Sequence, residues 1–534
     1  MLGELCAREP LARRDLHRAR LANERFDVLV VGGGATGTGV ALDAASRGFD
    51  VALVERDDFA SGTSSRSSKM IHGGFRYLQT GDVALVRESL AERAILHRNA
   101  RHLVSVLPVM IPLFLKGGVI SPKLSRALGA ALWSYQFAGA WRLGRRHRRL
   151  DAREVAGLAP ALRIDRVGGG YVFHDLAVDD ARLTFALAAS AAEHGAAVLN
   201  HARCVALRRD GDGWRVTIEA DGERFEARTR VLVNATGVWA GTLPLPETAR
   251  PPALVAAKGT HLVMRADAIP HDVAVSLPIA RDRRTVTLVR WGPFSYVGST
   301  DRVAEPDPDR PGVDAHDVEY ILEGINRHLN RPIAVEDLTG GWAGYRPLVA
   351  DSAASRTADL SRRHRITVDA QGIVSVTGGK LTTYRRMAED TVDRIEALLG
   401  TRRACATRRL PLHGHGPDAG GMDAPGPARR YGNRAGRIES LIAAEPALGA
   451  RITPNDETRL AEVVWGLRAE MAGSLTDALM RRTRVGGFDG RALLADAERI
   501  GREVAAWTDW SDRTRADETD SLVRTLRSEL GVLA

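Results

Sequence analysis

The stretch that decides the fold is Phe26-Asp27-Val28-Leu29-Val30-Val31-Gly32-Gly33-Gly34-Ala35-Thr36-Gly37. A short apolar, β-branched run meets three glycines, and small residues then lead into a helical stretch from Thr36 to Arg47. A second strand, Val51 to Val54, ends on Glu55. Gly32, Gly34 and Gly37 have the spacing GxGxxG, and an acid about twenty residues further on completes the pattern. The first glycine turns the chain, the second lets backbone amides approach a pyrophosphate, and the third lets the helix pack close to the sheet. The carboxylate accepts a ribose hydroxyl. A glycine triplet alone is weak. In the order strand, turn, helix, strand, acid it predicts an α/β, Rossmann-like dinucleotide-binding domain.

Elements of the same kind recur further along. Asn234-Ala235-Thr236-Gly237 follows a buried strand, Val231 to Val233, and Thr377-Gly378-Gly379-Lys380-Leu381-Thr382-Thr383 opens a helix that continues to Leu399. Both offer backbone amides at strand ends, and a helix N-terminus can stabilise an anionic ring through its positive dipole end. This leans toward FAD rather than NAD. Between them lie a β-meander with tight turns at Asp210 to Gly213 and Asp221-Gly222, and strand-like runs at Thr285 to Val289 and Ser295 to Gly298. Residues 82–102 read as an amphipathic helix, 412–431 as a Gly/Pro-rich linker, and the remainder as helical.

At 534 residues the chain implies two or three domains. No apolar tract approaches the about 18 residues of a membrane-spanning helix, and the charged N-terminus has no apolar leader core. The three cysteines form no metal-ligand or CxxC spacing, so no metal is expected, and a reduced, cytoplasmic chain is the plain reading. The net charge of +9 points to an anionic partner: lipid, nucleic acid or a phosphorylated small molecule. Only Lys69, Lys116, Lys123, Lys258 and Lys380 are lysines, every other cation being arginine, so each retained lysine invites a specific explanation.

Residues 61–78 read Ser-Gly-Thr-Ser-Ser-Arg-Ser-Ser-Lys-Met-Ile-His-Gly-Gly-Phe-Arg-Tyr-Leu. The serine-rich half is compatible with a solvated loop. The cationic, glycine-rich half from Lys69 to Tyr77 suits a cofactor and substrate contact. This loop, the glycine motif, Lys258-Gly259-Thr260-His261, Gly298-Ser299-Thr300-Asp301, Gly344-Tyr345-Arg346-Pro347-Leu348, the run from Gly378 to Arg385 and the stretch from Glu462 to Arg484 occur in order. On these motifs the chain resembles the membrane-associated aerobic glycerol-3-phosphate dehydrogenases from about Arg25 to Arg484. Arg290-Trp291 departs from the family's Pro-Trp, and Tyr345 stands where a small aliphatic is usual. Both departures are expected near the substrate.

The resemblance implies a D-amino-acid oxidase/glutathione reductase type FAD-binding domain (24–100, 166–245 and 345–400). It also implies an inserted mixed or antiparallel β-sheet substrate domain (101–165 and 246–344), a linker (401–431) and a helical C-terminal domain (432–534). The implied reaction oxidises sn-glycerol 3-phosphate to dihydroxyacetone phosphate, with electrons leaving to a membrane quinone. FAD contacts are expected from Gly32, Gly34, Gly37, Glu55, Thr63, Ser64, Ser65, Ser68, Lys69, His72, Gly73, Gly74, Val205, Ala235, Thr236, Gly237, Gly378, Gly379, Lys380, Leu381 and Thr382. By carry-over, Arg76, Tyr77, Arg346, Arg362 and Lys380 hold the substrate, and His261, Arg346 and Lys380 are the candidate catalytic residues. His261 is equally compatible with a structural, hydrogen-bonded role.

Ala127 to Trp141, apolar and followed by Arg142, Arg145, Arg146, Arg148 and Arg149, suits peripheral contact with an anionic lipid surface at the inner face of the cell membrane. A buried helix followed by a solvated basic turn accounts for it as well. A homodimer and an oxygen-using glycerol-3-phosphate oxidase are left open. The amine- or amino-acid-oxidising flavoenzymes share the fingerprint but not a need for so many cations. A basic flavoprotein that binds RNA would explain the charge, yet no aromatic-interleaved basic platform is present, so no nucleic acid is expected.

Overall fold

Val28, Leu29, Val30 and Val31 are buried whichever face they point to, as a strand must be when helices or loops cover both sides of a parallel sheet. The computed structural model describes residues 2–78, 82–115, 122–245, 254–282, 284–303, 308–309, 311–349, 363–416, 424 and 426–534. Among these, the first sheet runs in the order His364–Val368, Val374–Gly378, Glu223–Asn234, Arg25–Val31, Val51–Val54, Ala197–Leu199. Its pairings along that order are parallel except for the antiparallel pair at the His364–Val368 edge.

Ala202–Asp210 and Gly213–Ala220 form the expected meander with Glu223–Asn234. The third meander strand and the buried strand at 231–233 are one continuous strand. Its first half pairs with the hairpin, and its second half, through Val231 to Asn234, pairs with Arg25–Val31. Helices Ala35–Ser46, Asp180–Glu193 and Tyr384–Leu399 share the core on one face of the sheet. The first and last approach so closely that a Cβ on Gly39 would lie 3.1 Å from the Tyr384 ring.

The second sheet has ten strands among the described residues and is mixed, since Ala274–Pro278 pairs in parallel with Val104–Phe114 while its other pairings are antiparallel. Helices beyond residue 428 close one of its faces, with Trp465, Leu479 and Leu522 in the same core as Leu262 and Val297. The fold is thus a Rossmann-like α/β domain with an inserted mixed sheet and a helical C-terminal part. The amphipathic segment forms the helix Val83–Asn99, capped by the Asp82 side chain. Its buried face is not purely apolar: Arg93 pairs with Asp175, and Glu92 with Arg385.

Candidate active site

The strand Arg25–Val31 ends on Gly32, whose φ of +117° favours glycine, and a Cβ there would lie 2.5 Å from the Ala235 carbonyl oxygen. A Cβ on Gly37 would come within 1.9 Å of the Gly32 carbonyl, which is the close helix–sheet packing expected of the third glycine. Gly34 caps the helix Ala35–Ser46 and faces a cavity of about 440 Å³. Glu55 also reaches this cavity. Its carboxylate accepts from the Gly33 N–H at 2.5 Å and the Asp57 N–H at 3.0 Å, and burial pushes its pKa up against those two bonds.

Thr63, Ser64, Ser68, His72, Val205, Ala235, Thr236, Gly237, Gly378, Gly379, Leu381 and Thr382 lie on the same wall. Gly378 and Gly379 have φ of +72° and +81°, and they lead through a 3-10 turn into Tyr384–Leu399. Two helix N-termini therefore open toward one cavity. Thr382 joins them to the loop, its hydroxyl accepting from the His72 N–H at 3.2 Å and lying 3.3 Å from the His72 carbonyl.

Other expected contacts stand behind the wall. Ser65, Gly73 and Gly74 do not line the cavity. Lys69 is wholly buried, its ammonium 2.9 Å from Asp180 Oδ1, 3.1 Å from the Ser65 carbonyl and 4.4 Å over the Trp342 ring. Burial and the nearby Arg484 bring its pKa down to about 8, with Asp180 opposing. The ammonium supports the loop from inside, and Lys69 does not line the cavity.

At the other end of the cavity Arg346 donates to Ser299 Oγ at 2.6 Å, and the space for its guanidinium exists because residue 259 is glycine. The Lys380 ammonium sits 4.2 Å over the Tyr77 ring and 3.3 Å from Ser89 Oγ. Arg346, Lys380, Tyr77 and His72 all line the cavity. Arg76 lies in the turn Phe75–Leu78, and its side chain, like the whole of Arg362, is outside the described residues.

His261 does not reach the wall. Its Nε2 is 2.9 Å from Ser68 Oγ, its ring stacks on Trp342 at 5.0 Å, and burial, with Arg346 and Lys69 nearby, holds its pKa well below the ordinary histidine value. It is a neutral ring supporting Ser68, and the histidine on the cavity wall is His72. Of the two departures, Tyr345 lines the cavity, but Arg290 is exposed and faces Asp272 at 3.7 Å. The expectation that Arg290 lies near the substrate is therefore corrected: its strand points the side chain away from the cavity.

Arg66 and Trp239 also line the cavity and were not singled out from the sequence. Trp239 presses against residue 62, where a Cβ would come within 2.7 Å of its ring, so the glycine in Ser61-Gly62-Thr63 carried that signal.

The residues present fit FAD. The Gly32–Gly34 corner and the N-terminus of Ala35–Ser46 suit a pyrophosphate, Glu55 suits a ribose, and the amides before Tyr384–Leu399 suit the electron-rich edge of a flavin.

Comparison with known proteins agrees with this geometry. The FAD dependent oxidoreductase family model matches residues 27–393, and that for the C-terminal domain of alpha-glycerophosphate oxidase matches residues 423–515. The chain is 38% identical to glycerol-3-phosphate dehydrogenase 1 of Mycobacterium tuberculosis, over 89% of this chain and 94% of that protein. It is 33% identical to a probable mitochondrial glycerol-3-phosphate dehydrogenase of Caenorhabditis elegans, over 98% and 77%. Among solved structures, the glycerol-3-phosphate dehydrogenase of Bacillus halodurans complexed with FAD superposes with a TM-score of 0.77 at 26% identity, covering 98% of this chain and 99% of that one.

Proposed function

Because the chain belongs to the FAD-dependent glycerol-3-phosphate dehydrogenase family, we propose that it oxidises sn-glycerol 3-phosphate to dihydroxyacetone phosphate and passes the electrons to a membrane quinone. One observation carries the substrate reading: Arg346, Lys380 and His72 line one cavity together with two helix N-termini. Arg346 offers a planar fork of N–H donors and Lys380 a compact charge, together suited to a phosphate dianion. His72, its backbone fixed by Thr382, accepts the C2 hydroxyl proton, a role suited to the ring nitrogen of an imidazole. FAD, when bound, supplies the acceptor for the C2 hydride. Anaerobic bleaching of the flavin by glycerol 3-phosphate, but not by glycerol or amino acids, is the expected result. Bleaching by an amino acid alone overturns the reading.

A peripheral position at the inner face of the cell membrane is the reading that the helix Pro122–Ala138 and the turn after it support. Trp133, Phe137 and Trp141 are 50, 77 and 58% exposed, and Arg142, Arg145 and Arg146 are exposed beside them. Aromatic rings next to arginines suit the interface of an anionic bilayer. Among the described residues no helix is long and apolar enough to cross a membrane. The wild-type chain is expected to float with anionic liposomes at low salt, and Trp133→Ser/Phe137→Ser to stay behind. Oxygen consumption in place of quinone reduction would remove the quinone assignment.

A further inference from the structure

The helical C-terminal part does more than close the second sheet. Its residues reach across to the segment that runs from Asp58 along the cavity wall to Lys69, and they grip it at both ends. Asp58, fully buried, accepts from Arg481 Nε at 2.6 Å and from both terminal nitrogens of Arg482, at 2.7 and 2.9 Å. Two residues later the Ala60 N–H donates to the Gly33 carbonyl at 3.1 Å, so this end of the segment is joined to the glycine corner. At the other end Arg484 donates to the Ser65 carbonyl at 2.7 Å and to Asp180 Oδ1 at 3.2 Å. Asp180 in turn accepts from the Ser67 N–H and hydroxyl at 3.0 and 2.7 Å and from Lys69. A third hold is the ion pair between Arg66 and Glu529 of the last helix.

The local backbone of the gripping residues is unusual in two places. Ala478–Arg482 is a π-helical turn, and Arg484 stands in the left-handed region with φ of +72°. Neither conformation is favoured by an ordinary helical sequence, and π-turns recur where a helix must aim side chains at a site. Here the π-turn carries Arg481 and Arg482, and Arg484 stands two residues beyond it, each turned to the same segment. The side chains thereby held in place include Ser64, whose hydroxyl accepts from the Ala35 N–H at 2.9 Å at the start of the glycine-motif helix. Thr63 and Ser68 lie on the cavity wall itself.

We propose that the C-terminal domain is a clamp on the cofactor-binding segment, with Arg484 as a positioning residue that fixes Ser65 and the wall around it for FAD. Arg484 does not line the cavity. It acts by neutralising Asp180 jointly with Lys69 and by holding a carbonyl that would otherwise be buried with a single donor. Two binding events that share a segment are thermodynamically reciprocal: if docking of residues 478–486 tightens FAD, FAD must tighten their docking. The inference rests on FAD occupying this cavity and not on the substrate, so failure of glycerol 3-phosphate to bleach the flavin leaves it untouched.

The test uses the full chain stripped of and reloaded with FAD. Arg484→Gln, which leaves the buried Asp180 to Lys69, is expected to lower the melting temperature of the apoprotein and also to raise the FAD dissociation constant about tenfold or more, and Arg484→Lys to recover part of both losses. In the unaltered protein, FAD is expected to slow amide exchange in residues 478–486, which do not line the cavity. Arg484→Gln is expected to abolish that protection. An apoprotein that melts earlier with wild-type FAD affinity would mean domain packing only, and would overturn the proposal. So would exchange in residues 478–486 that is indifferent to FAD, a comparison that decides the matter alone if Arg484→Gln does not fold.

Discussion

The Arg346 guanidinium reaches over Gly259 on the paired strand, two residues from its own register partner Ala257, so a single methyl group at Gly259 is expected to separate substrate binding from folding. An ideal Cβ on Gly259 would lie 2.5 Å from Arg346 Nη2 and 2.8 Å from Cζ and Nη1. Ordinary heavy-atom contact is about 3.5 Å, so Gly259→Ala must displace the guanidinium by about 1 Å. The atoms that must move are the far end of a flexible side chain, and the glycine has no left-handed φ, so the strand itself accepts alanine. The bond to Ser299 Oγ at 2.6 Å cannot survive that shift unchanged. A charge-assisted hydrogen bond is worth about 1.5–3 kcal/mol, and misplacing a binding group by about 1 Å can cost roughly a hundredfold. The expected outcome is a KM for glycerol 3-phosphate raised about ten- to a hundredfold, with FAD content and melting temperature near wild type. Steady-state kinetics with a quinone analogue, the flavin absorbance of the purified protein and a thermal melt read the three. The effect should vanish in an Arg346→Ala background, because the two changes act through one group. A wild-type KM in Gly259→Ala, or an undiminished effect without Arg346, would refute the assignment of that guanidinium to the substrate.

Three further outcomes follow from the same geometry. Gly34→Val should fold but lose FAD, since it puts a branched side chain on the cavity wall beside Ser64 Oγ, already 3.0 Å from an ideal Cβ; normal flavin content after purification would contradict this. Lys380→Arg should bind FAD yet reduce it slowly in anaerobic stopped-flow, because the broader guanidinium fork is expected to disturb the packing that the ammonium makes over Tyr77 and beside Gly74, and Lys380→Met should be slower still. His413 is buried between Glu9 and Glu193; burial opposes its charge, but the hydrogen bonds to both carboxylates outweigh this and raise its pKa. Its stabilising contribution is complete below the ordinary value of about 6.5 and is lost as pH rises through the raised value. Melting curves from about pH 6 to about pH 9 should therefore show a decline that His413→Gln flattens.

The glycine corner was legible because its constraints are local. Gly32, Gly34 and Gly37 answer to backbone atoms within a few residues or on the adjoining strand end, and such demands leave a spacing that can be read in a line of sequence. The strands of the first sheet were legible for a related reason, since burial on both faces leaves an uninterrupted apolar run. The merging of the meander with its neighbouring strand was not, because nothing in the alternation marks where one pairing partner replaces another.

The buried charges are a harder case, and they locate the limit of reading by composition. Lys69, His261 and Arg484 look in sequence like cations and an imidazole available to a ligand, because charged groups are rarely buried without a partner and a partner at long separation is invisible. Asp180 stands 111 residues from Lys69 and 304 from Arg484, and Asp58 stands 424 from Arg482. The retained lysines illustrate both sides. Lys380, between two helix-opening glycines and a turn, is on the cavity wall, whereas Lys69 and Lys258 are enclosed against Asp180 and Asp314. Scarcity of lysine therefore drew attention to Lys69, Lys258 and Lys380, and it could not say which of them faces a cavity and which an aspartate. That choice is made by the carboxylates, and these reach each site only when distant segments are brought together.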